Sequence, residues 1–211
     1  MTMPVTIVDY GMGNLNSVRN AFAHLGRETV VSSSLKDLEQ ASTIILPGVG
    51  SFGKAMQNLR ELHLIPVLTE KVMHEKVPFL GICLGMQLVV DSSEENGDFE
   101  GLKWIEGSVK RIKIPNSLRL PHIGWNDLDV KEGSFLFNGL GEDKNFYFVH
   151  SFQLQCDEDI IESTTEYGEK ITASIRSNNI FATQFHPEKS HVNGMKILKN
   201  FLSYANGVSI C

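Results

Sequence analysis

A single cysteine stands between two glycines in the stretch GICLG, residues 81–85. Glycine, any residue, nucleophile, any residue, glycine is the spacing of a nucleophile elbow, the tight turn that joins a strand to a helix. Side chains at Gly81 and Gly85 would collide there as the two elements approach each other. Backbone N–H groups at a helix N-terminus stabilise a thiolate. The pattern therefore favours Cys83 as a nucleophile over the inert buried thiol usual in apolar runs.

A thiolate that attacks an acyl carbon needs a base, and the base needs a group that orients it. Of the seven histidines, only His186, in FATQFHPEKS, is followed two residues later by a carboxylate, that of Glu188. In an extended segment, residues i and i+2 face the same side about 6.5–7 Å apart, and Pro187 keeps the dipeptide out of the helical region. We predict a Cys83–His186–Glu188 triad.

The same reaction needs N–H donors for an oxyanion. The residue after the nucleophile, Leu84, supplies one, and the stretch ILPGVGSFG is expected to supply the second from Val49 or Gly50, with Gly48 beside the substrate. Glycines on both sides of Val49 lower the steric cost of rotating its peptide planes. A phosphate-binding loop is the alternative, but PGVGSFG lacks the lysine of a P-loop, and GMGNLN lacks the third glycine of a dinucleotide fingerprint.

Composition limits the classes of protein in which this chemistry could occur. The 211 residues, 42% hydrophobic and 21% charged, predict a single domain over residues 1–211. A net charge of −6 argues against nucleic-acid binding. The cysteines are odd in number, and their spacing has no metal-binding signature, so neither disulfides nor a metal site is favoured: they are Cys83, Cys156 and Cys211. No cofactor is expected. Apolar runs too short to span a bilayer, and a start without a basic signal region, predict a cytoplasmic protein free of membrane.

The first part of the chain alternates between β-branched runs and amphipathic segments. Strands are predicted at PVTIVDY, ETVVS, STIILP and VPFLGIC. Helices are predicted at NLNSVRNAFAHLG, SLKDLEQ, KAMQNLREL and IPVLTEKVMHEK, the first capped by Asn14 and ended by Gly26. This alternation indicates an α/β fold with a mostly parallel central sheet and helices on both faces.

From about residue 100 the pattern changes to short strands with few helices between them. These strands are VKRIKI, FYFVHSFQLQ, KITASIR and IFATQF, and a helix at NGMKILKNFLSYA follows. The second half is therefore expected to add an antiparallel β-rich extension.

The motifs GICLGMQ and FHPEKS resemble those of the class I (triad) glutamine amidotransferases, which have a flavodoxin-like fold. DYGMGNLNS, LPGVGSFG, PHIGWN and FYFVHSF are similar to the glutaminase subunits of imidazole glycerol phosphate synthase. The resemblance runs from about residue 5 to residue 202. It implies hydrolysis of glutamine through a Cys83 thioester, with ammonia passed to a (β/α)₈ barrel cyclase. Such a barrel needs about 250 residues, so the cyclase is expected to be a separate chain that forms a heterodimer with this one.

The resemblance also implies substrate contacts. Gln87, one helical turn after Cys83, lies where its amide can reach glutamine. Glu95 matches an acid that binds the substrate ammonium, with Glu94 as a rival. The backbone of Ser151 and Phe152 matches the segment that meets the substrate carboxylate.

Three further positions match residues that touch the barrel and gate the interface: Asn14, Trp125 and Lys189. Taken by itself, an exposed Trp125 would be an interface anchor, whereas a buried one would belong to the core.

Other functions stay open at this point. A paralogous glutaminase subunit that feeds a sugar-modifying synthetase of surface-polysaccharide synthesis would use the same triad. A free-standing cysteine hydrolase, such as a peptidase, would work without a partner. A binding module that has kept only the fold is disfavoured by an intact Cys83, His186 and Glu188.

Overall fold

The computed structural model describes residues 3–207, and in that range it contains fourteen strands and six α-helices. The strands are β1 (Val5–Val8), β2 (Thr29–Ser32), β3 (Ile44–Gly48), β4 (Phe79–Cys83), β5 (Val90–Ser93), β6 (Phe99–Glu100), β7 (Ile105–Arg111), β8 (His122–Asp127), β9 (Asp129–Val130), β10 (Asn145–His150), β11 (Phe152–Cys156), β12 (Ile161–Tyr167), β13 (Glu169–Ser177) and β14 (Ile180–Thr183). The helices are α1 (Leu15–His24), α2 (Leu35–Glu39), α3 (Phe52–Glu61), α4 (Leu64–Thr69), α5 (Leu84–Gln87) and α6 (His191–Ala205).

An eight-stranded sheet forms the centre, in the order β2-β1-β3-β4-β14-β13-β12-β9. The first five of these strands are parallel to one another, and β13, β12 and β9 continue the sheet with antiparallel pairing. Relabelled by their order along the chain, the parallel strands have the flavodoxin arrangement 2-1-3-4-5. The predicted α/β fold with a mostly parallel sheet and an antiparallel extension is confirmed.

Four of the five parallel strands, β1, β3, β4 and β14, are buried on both faces because their apolar residues alternate between two cores, whereas the edge strand β2 is partly exposed. In β3, Ile44 and Leu46 pack into the core that includes α3 and α4, whereas Ile45 packs with α1 and α6 on the other face. All five residues of β3 and of β4 are buried. Continuous apolar runs such as these are what a sheet covered on both sides requires.

The predicted helices are present, but several of them begin or end at residues other than those that the local pattern predicts. Helix α1 begins after Asn14, whose side chain accepts a hydrogen bond from the Ser17 N–H at 3.3 Å, and Gly26 follows with φ +70°. The segment IPVLTEKVMHEK forms α4 and then a π-helical turn, Glu70–His74. None of the helices described in residues 3–207 is long and apolar enough to cross a membrane.

The β-rich region begins earlier than residue 100, and this part of the prediction is wrong. After one turn of α5 the chain enters β5, because the carbonyls of Leu88, Val89 and Val90 accept hydrogen bonds from N–H groups of residues 102–105. Long-range pairing thus replaces the helical pairing that an apolar segment could have made. The strands β5, β6, β8, β9 and β12 were not predicted. Two small sheets result, β10-β8 and β11-β7-β5-β6.

Candidate active site

Cys83 ends β4 in a strained backbone conformation, with φ +55° and ψ −106°. A Cβ added at Gly81 would lie 2.6 Å from the Gly85 carbonyl oxygen, and one added at Gly85 would lie 1.7 Å from the carbonyl oxygen of Leu46. The first clash is the one that the elbow spacing predicts, but the second is with the neighbouring strand β3. Because both positions are glycine, the turn at Cys83 can pack tightly against the backbone of Gly85 and of Leu46. This tight packing leaves the turn little space to move.

The sulfur of Cys83 is almost enclosed, and its hydrogen-bond partners come from distant parts of the chain. Gln184 Nε2 donates to Sγ at 3.7 Å, and the thiol can donate to the Val149 carbonyl oxygen at 3.9 Å. Helix α5 has only four residues, so its dipole contributes less to a thiolate than the sequence analysis supposed. Gln184 was missed by the sequence analysis, although a glutamine in the apolar stretch IFATQF is a signal of a buried polar function.

His186 and Glu188 form a buried pair, as the sequence predicts. His186 Nδ1 lies 2.8 Å from Glu188 Oε1, and both side chains are 2% exposed. The geometry is not the predicted extended one, since Pro187–Lys189 form a 3₁₀ turn that folds the carboxylate back onto the ring. The turn brings the two groups to hydrogen-bonding distance, which a straight strand would not do.

The second ring nitrogen of His186 faces Cys83. Among the described residues, Nε2 has no hydrogen bond of regular geometry. Burial lowers the pKa of His186, but a Cys83 thiolate and the Glu188 carboxylate together raise it more strongly, so the pKa lies well above that of a free histidine. When Cys83 is ionised, His186 therefore holds its proton beside the sulfur at neutral pH.

Ser190, which the sequence analysis did not single out, fixes the backbone beneath His186. Its Oγ donates to the His186 carbonyl at 2.7 Å and accepts from the Tyr147 N–H at 3.0 Å. The His186 N–H in turn donates to the Tyr147 carbonyl at 2.9 Å. The turn that carries the pair is thus tied to β10, and the serine at the end of HPEKS was its only local signal.

A cavity of about 320 Å³ opens beside Cys83. Leu84, Val49 and Gly50 line it together with the cysteine, as the oxyanion hypothesis requires. Gly50 has φ +106°, a conformation that favours glycine. Gly48 is not among the described residues that line the cavity. It pairs with Cys83 in register at the end of β3.

The other substrate candidates line the same cavity: Gln87, Glu95, Ser151 and Phe152. Both N–H bonds of the Gln87 amide are used inside the protein, since Nε2 donates to the Phe152 carbonyl at 3.0 Å and to Gln184 Oε1 at 2.9 Å. Only its carbonyl oxygen is left for a ligand. Gln87 and Gln184 thus form a chain that ends on the Cys83 sulfur.

The two neighbouring glutamates separate clearly. Glu95 lines the cavity, and its Oε2 accepts from the Phe52 N–H at 2.6 Å. Glu94 instead pairs with Lys110 on the surface, where bonds from the Arg111 N–H and from Lys110 lower its pKa. The geometry favours Glu95 as the ligand for a cation.

The three interface candidates lie as follows. Asn14 caps α1, which packs against the turn Pro187–Lys189. Trp125 is 43% exposed and stacks on His191 at 4.8 Å between ring centroids. Lys189 Nζ lies 5.8 Å from the centroid of the Tyr147 ring, which Trp125 also meets at 5.8 Å. An exposed Trp125 fits the reading of an interface anchor.

Of the three cysteines, Cys83 and Cys156 are free thiols in the described range, and Cys211 lies outside it. Within residues 3–207, histidine, cysteine and carboxylate side chains form no cluster that could hold a metal ion.

Sequence comparison finds relatives over nearly the full length. The family model for glutamine amidotransferase class-I matches residues 6–205. The chain is 46% identical to the imidazole glycerol phosphate synthase subunit HisH 1 of Campylobacter jejuni subsp. jejuni, over 93% of this chain and 98% of that protein. It is 48% identical to the HisH subunit of the same synthase from Sulfurimonas denitrificans, over 96% and 99%.

Comparison of folds agrees with the sequence comparison. A chain of PurLQS from Thermotoga maritima superposes with a TM-score of 0.71 at 19% identity, covering 97% of this chain and 99% of that one. A glutamine amidotransferase from the same organism gives a TM-score of 0.63 at 17% identity, covering 98% and 85%. With the family match spanning both the elbow and the HPE turn, this chain belongs to the class-I glutamine amidotransferases.

Proposed function

We propose that this chain is the glutaminase subunit of an imidazole glycerol phosphate synthase, which acts in histidine biosynthesis. In this proposal it hydrolyses glutamine through a Cys83 thioester and supplies ammonia to a separate (β/α)₈ barrel cyclase. One observation carries it: the sulfur of Cys83, the loop Val49–Gly50 and the Leu84 backbone meet at one cavity, with the His186–Glu188 pair beside the sulfur.

The first half of the reaction forms the thioester. The Cys83 thiolate attacks the side-chain amide carbon of glutamine, and the negative charge moves to the amide oxygen. N–H groups of Leu84 and of the loop Val49–Gly50 stabilise that oxyanion. His186 gives its Nε2 proton to the leaving nitrogen, the carbon–nitrogen bond breaks, and ammonia departs.

The second half regenerates the enzyme. His186, now neutral, takes a proton from a water molecule, whose oxygen attacks the thioester carbon. The carbon–sulfur bond breaks and the Cys83 thiolate is regenerated, while the new carboxylic acid loses its proton to solvent and leaves as glutamate. Glu188 stabilises the ring of His186 in one tautomer and, when the ring is charged, as a cation.

The cavity suits an α-amino acid with an amide side chain. Glu95 is the carboxylate among its lining residues, and Arg111 lines it with a guanidinium group. We assign the substrate ammonium to Glu95 and the carboxylate to the side of Arg111, Ser151 and Phe152. We assign to the Gln87 carbonyl oxygen a hydrogen bond accepted from the substrate, because both N–H groups of the amide are used within the protein.

The relatives' names support a partner chain, because each is named as a subunit of the synthase. We assign the barrel to the exposed surface around Trp125, His191 and Lys189. Of these residues, Lys189 belongs to the turn that also carries Glu188 of the proposed catalytic pair. A heterodimer docked here could transmit its state to His186 through the Tyr147 backbone. The proposal places both chains in the cytoplasm.

The alternatives have less support. The relatives named above are subunits of imidazole glycerol phosphate synthase, which does not favour a glutaminase of polysaccharide synthesis. A free-standing hydrolase would need a groove for an extended peptide, whereas Cys83 opens onto a cavity of about 320 Å³.

The deciding experiment is a glutaminase assay. Ammonia release from glutamine is measured for the purified chain alone, with the cyclase of the same organism, and with the cyclase and its ligand. The proposal expects strong turnover only in the ligand-bound complex. Equal turnover by the chain alone would support the free-standing hydrolase, and no turnover in any mixture would contradict a glutaminase of this synthase.

A further inference from the structure

Two histidines that the mechanism does not use lie in contact behind the cavity. His122 begins β8 and His150 ends β10, at directly paired positions of the two antiparallel strands. They are 0% and 6% exposed. His122 Nδ1 and His150 Nε2 are 3.0 Å apart, which is hydrogen-bonding distance. His150 lines the cavity beside Val149, Ser151 and Phe152.

The outer nitrogens of the two rings both face oxygen atoms that can only accept. His150 Nδ1 lies 2.8 Å from the Phe152 carbonyl oxygen. His122 Nε2 lies 2.8 Å from Asn126 Oδ1. The orientation of the Asn126 amide is fixed because its Nδ2 donates to the Glu166 carbonyl at 3.2 Å. Turning the amide over would set two acceptors against each other.

These contacts fix the number of protons on the pair. Each outer nitrogen must carry a hydrogen, because it faces an acceptor. The inner contact of 3.0 Å needs one more, since two lone pairs would otherwise oppose each other. Two neutral imidazoles carry only two N–H hydrogens, so the network requires one proton more than the neutral pair supplies.

We infer that His122 and His150 share this third proton, so that the pair carries one positive charge beside the substrate cavity and thereby favours binding of the substrate carboxylate. The two residues are positioning residues, because both ring nitrogens of His150 are hydrogen-bonded inside the protein and neither is free to touch the ligand. The choice of ligand rests on the function proposed above, whereas the proton count does not.

The surroundings of the pair suit a single charge. His122 stacks on the rings of Tyr167 and Phe148, at centroid distances of 4.0 and 5.0 Å and with both interplanar angles at 17°. A cation stacked on aromatic faces is stabilised by their π electrons. Two carbonyl oxygens accept from the ends of the pair, and the proton shared by the two rings spreads the charge over both.

A second positive charge is excluded. Burial is the main cause that lowers the pKa of His150 to about 3, and repulsion from charged His122 and His186 lowers it further. Burial also lowers the pKa of His122, against the hydrogen bond to Asn126. Burial opposes the first charge on the pair as well as a second one, whereas repulsion between the two rings opposes only the second, since coupled groups titrate in separate steps. The hydrogen bonds to the Phe152 carbonyl and to Asn126 act in the other direction and raise the two pKa values. The first proton is retained because removing it breaks the inner hydrogen bond.

The charged and titratable groups that surround the pair come from five elements. They are Tyr167 on β12, His186 after β14, Cys83 on β4, Arg111 on β7 and Glu95 after β5. The paired Cys83 and His186 have no net charge when the thiol is ionised. Glu95 is balanced by the substrate ammonium in the proposed complex, so Arg111 and the histidine pair are left to face the carboxylate.

The pair also shapes the backbone that the carboxylate would meet. The Phe152 carbonyl accepts from His150 Nδ1 and Gln87 Nε2, and the Ser151 carbonyl accepts from the Ile112 N–H. Both carbonyl oxygens are therefore engaged within the protein. A negative ligand at this turn would meet the charge of the pair and would itself strengthen proton binding, because the two are thermodynamically linked.

Nuclear magnetic resonance of the chain with ¹⁵N-labelled histidine tests the proton count without any substrate. We expect one ring of the pair to show both nitrogens protonated at neutral pH. A scalar coupling should also be seen across the hydrogen bond between His122 Nδ1 and His150 Nε2. Signals of two neutral rings over the pH range in which the glutaminase works would overturn the inference, whatever the substrate proves to be.

Equilibrium binding to the Cys83→Ala complex with the cyclase tests the role of the charge. The dissociation constant for glutamine should increase as pH rises through the pKa of the pair, by up to about tenfold per pH unit. The constant for 4-aminobutanamide, which has the amide and amine of glutamine but no carboxylate, should not show this rise. The same pH dependence for both ligands would overturn the positioning role.

Substitutions in the same complex give a shift in a known direction. Asn126→Asp places a carboxylate on the outer nitrogen of His122, so the loss of glutamine affinity should move to higher pH. His150→Gln should weaken glutamine binding at low pH and remove its pH dependence. His24→Gln, an exposed histidine on α1, is the matched control. An Asn126→Asp profile identical to that of the control would contradict the inference, as would a profile moved to lower pH.

Discussion

The adjacent strands β3 and β4 end side by side, with Gly48 paired to Cys83, but the turns that follow them are built differently. At the elbow, Gly81 and Gly85 are closed in by backbone atoms. At the loop, a Cβ on Gly50 would approach only the end of the Met12 side chain, at 2.7 Å, and Val49 is 41% exposed. The fold therefore holds the proposed nucleophile rigidly and leaves the proposed oxyanion donor room to move.

The difference has a chemical meaning. A nucleophile must be held at a fixed distance from its base, because small displacements reduce the rate strongly. A donor for the oxyanion acts only in the transition state, so moving it changes turnover and has little effect on binding. A partner chain that changes the loop Val49–Gly50 could thus switch the glutaminase while the triad stays assembled.

The largest effect is expected at the rigid turn. Cys83→Ala should abolish synthesis that depends on glutamine, because no thioester forms, while synthesis from added ammonium in the complex with the cyclase survives. Both activities are measured on the same preparation. Loss of both would show that Cys83 supports the structure of the complex instead of the chemistry.

The catalytic pair should separate into a stronger and a weaker member. His186→Ala should prevent thioester formation, since no group is left to transfer the proton. Glu188→Ala should cost about 10- to 100-fold less in kcat, because an orienting group does not itself transfer the proton. Single-turnover trapping of the thioester measures both. If Glu188→Ala strongly lowered the melting temperature as well as the rate, the orienting role of Glu188 would be unproven. Glu188→Gln, which keeps the size of the side chain but removes its charge, is the control for such a loss of stability.

The flexible turn should control regulation. The chain alone should be a very poor glutaminase, and the cyclase with its ligand should raise kcat much more than it lowers KM. Removing one oxyanion donor costs about 10²–10³ in rate, so the stimulation should be of that order. Gly50→Pro, which removes an N–H and restricts rotation, should lose the stimulation. A Gly50→Pro chain stimulated normally would show that this loop is not the switch.

The smallest effects concern stability and compare the two turns directly. Gly85→Ala should lower the free energy of unfolding by about 3 kcal/mol or more, because its Cβ would overlap the Leu46 carbonyl oxygen. Gly50→Ala should lower it by about 1–2 kcal/mol, the cost of a positive φ, since the Met12 side chain can move away. Urea unfolding of both variants decides this. Equal losses would mean that the two turns are equally rigid.

Much of the fold was predictable because it is written in local periodicity. The strand–helix alternation up to Cys83, the cap at Asn14 and the closing helix all depend on neighbouring residues. The strand β5 was not predictable, because GMQLVV suits both helix and strand. Hydrogen bonds from residues 102–105 decide between the two, and no local pattern reports them.

The candidate site divides in the same way. The sequence by itself predicted the proposed nucleophile and base, because an elbow and an HPE turn each need only a few adjacent residues. Only the tertiary structure decided that Gln184 donates to the sulfur, that Ser190 accepts from the Tyr147 N–H on β10, and that His150 meets His122. These contacts join residues far apart in the chain, and they form only when β4, β8, β10 and β14 pack together around the cavity. Residue type predicts what a side chain can do, whereas packing decides which partner it meets.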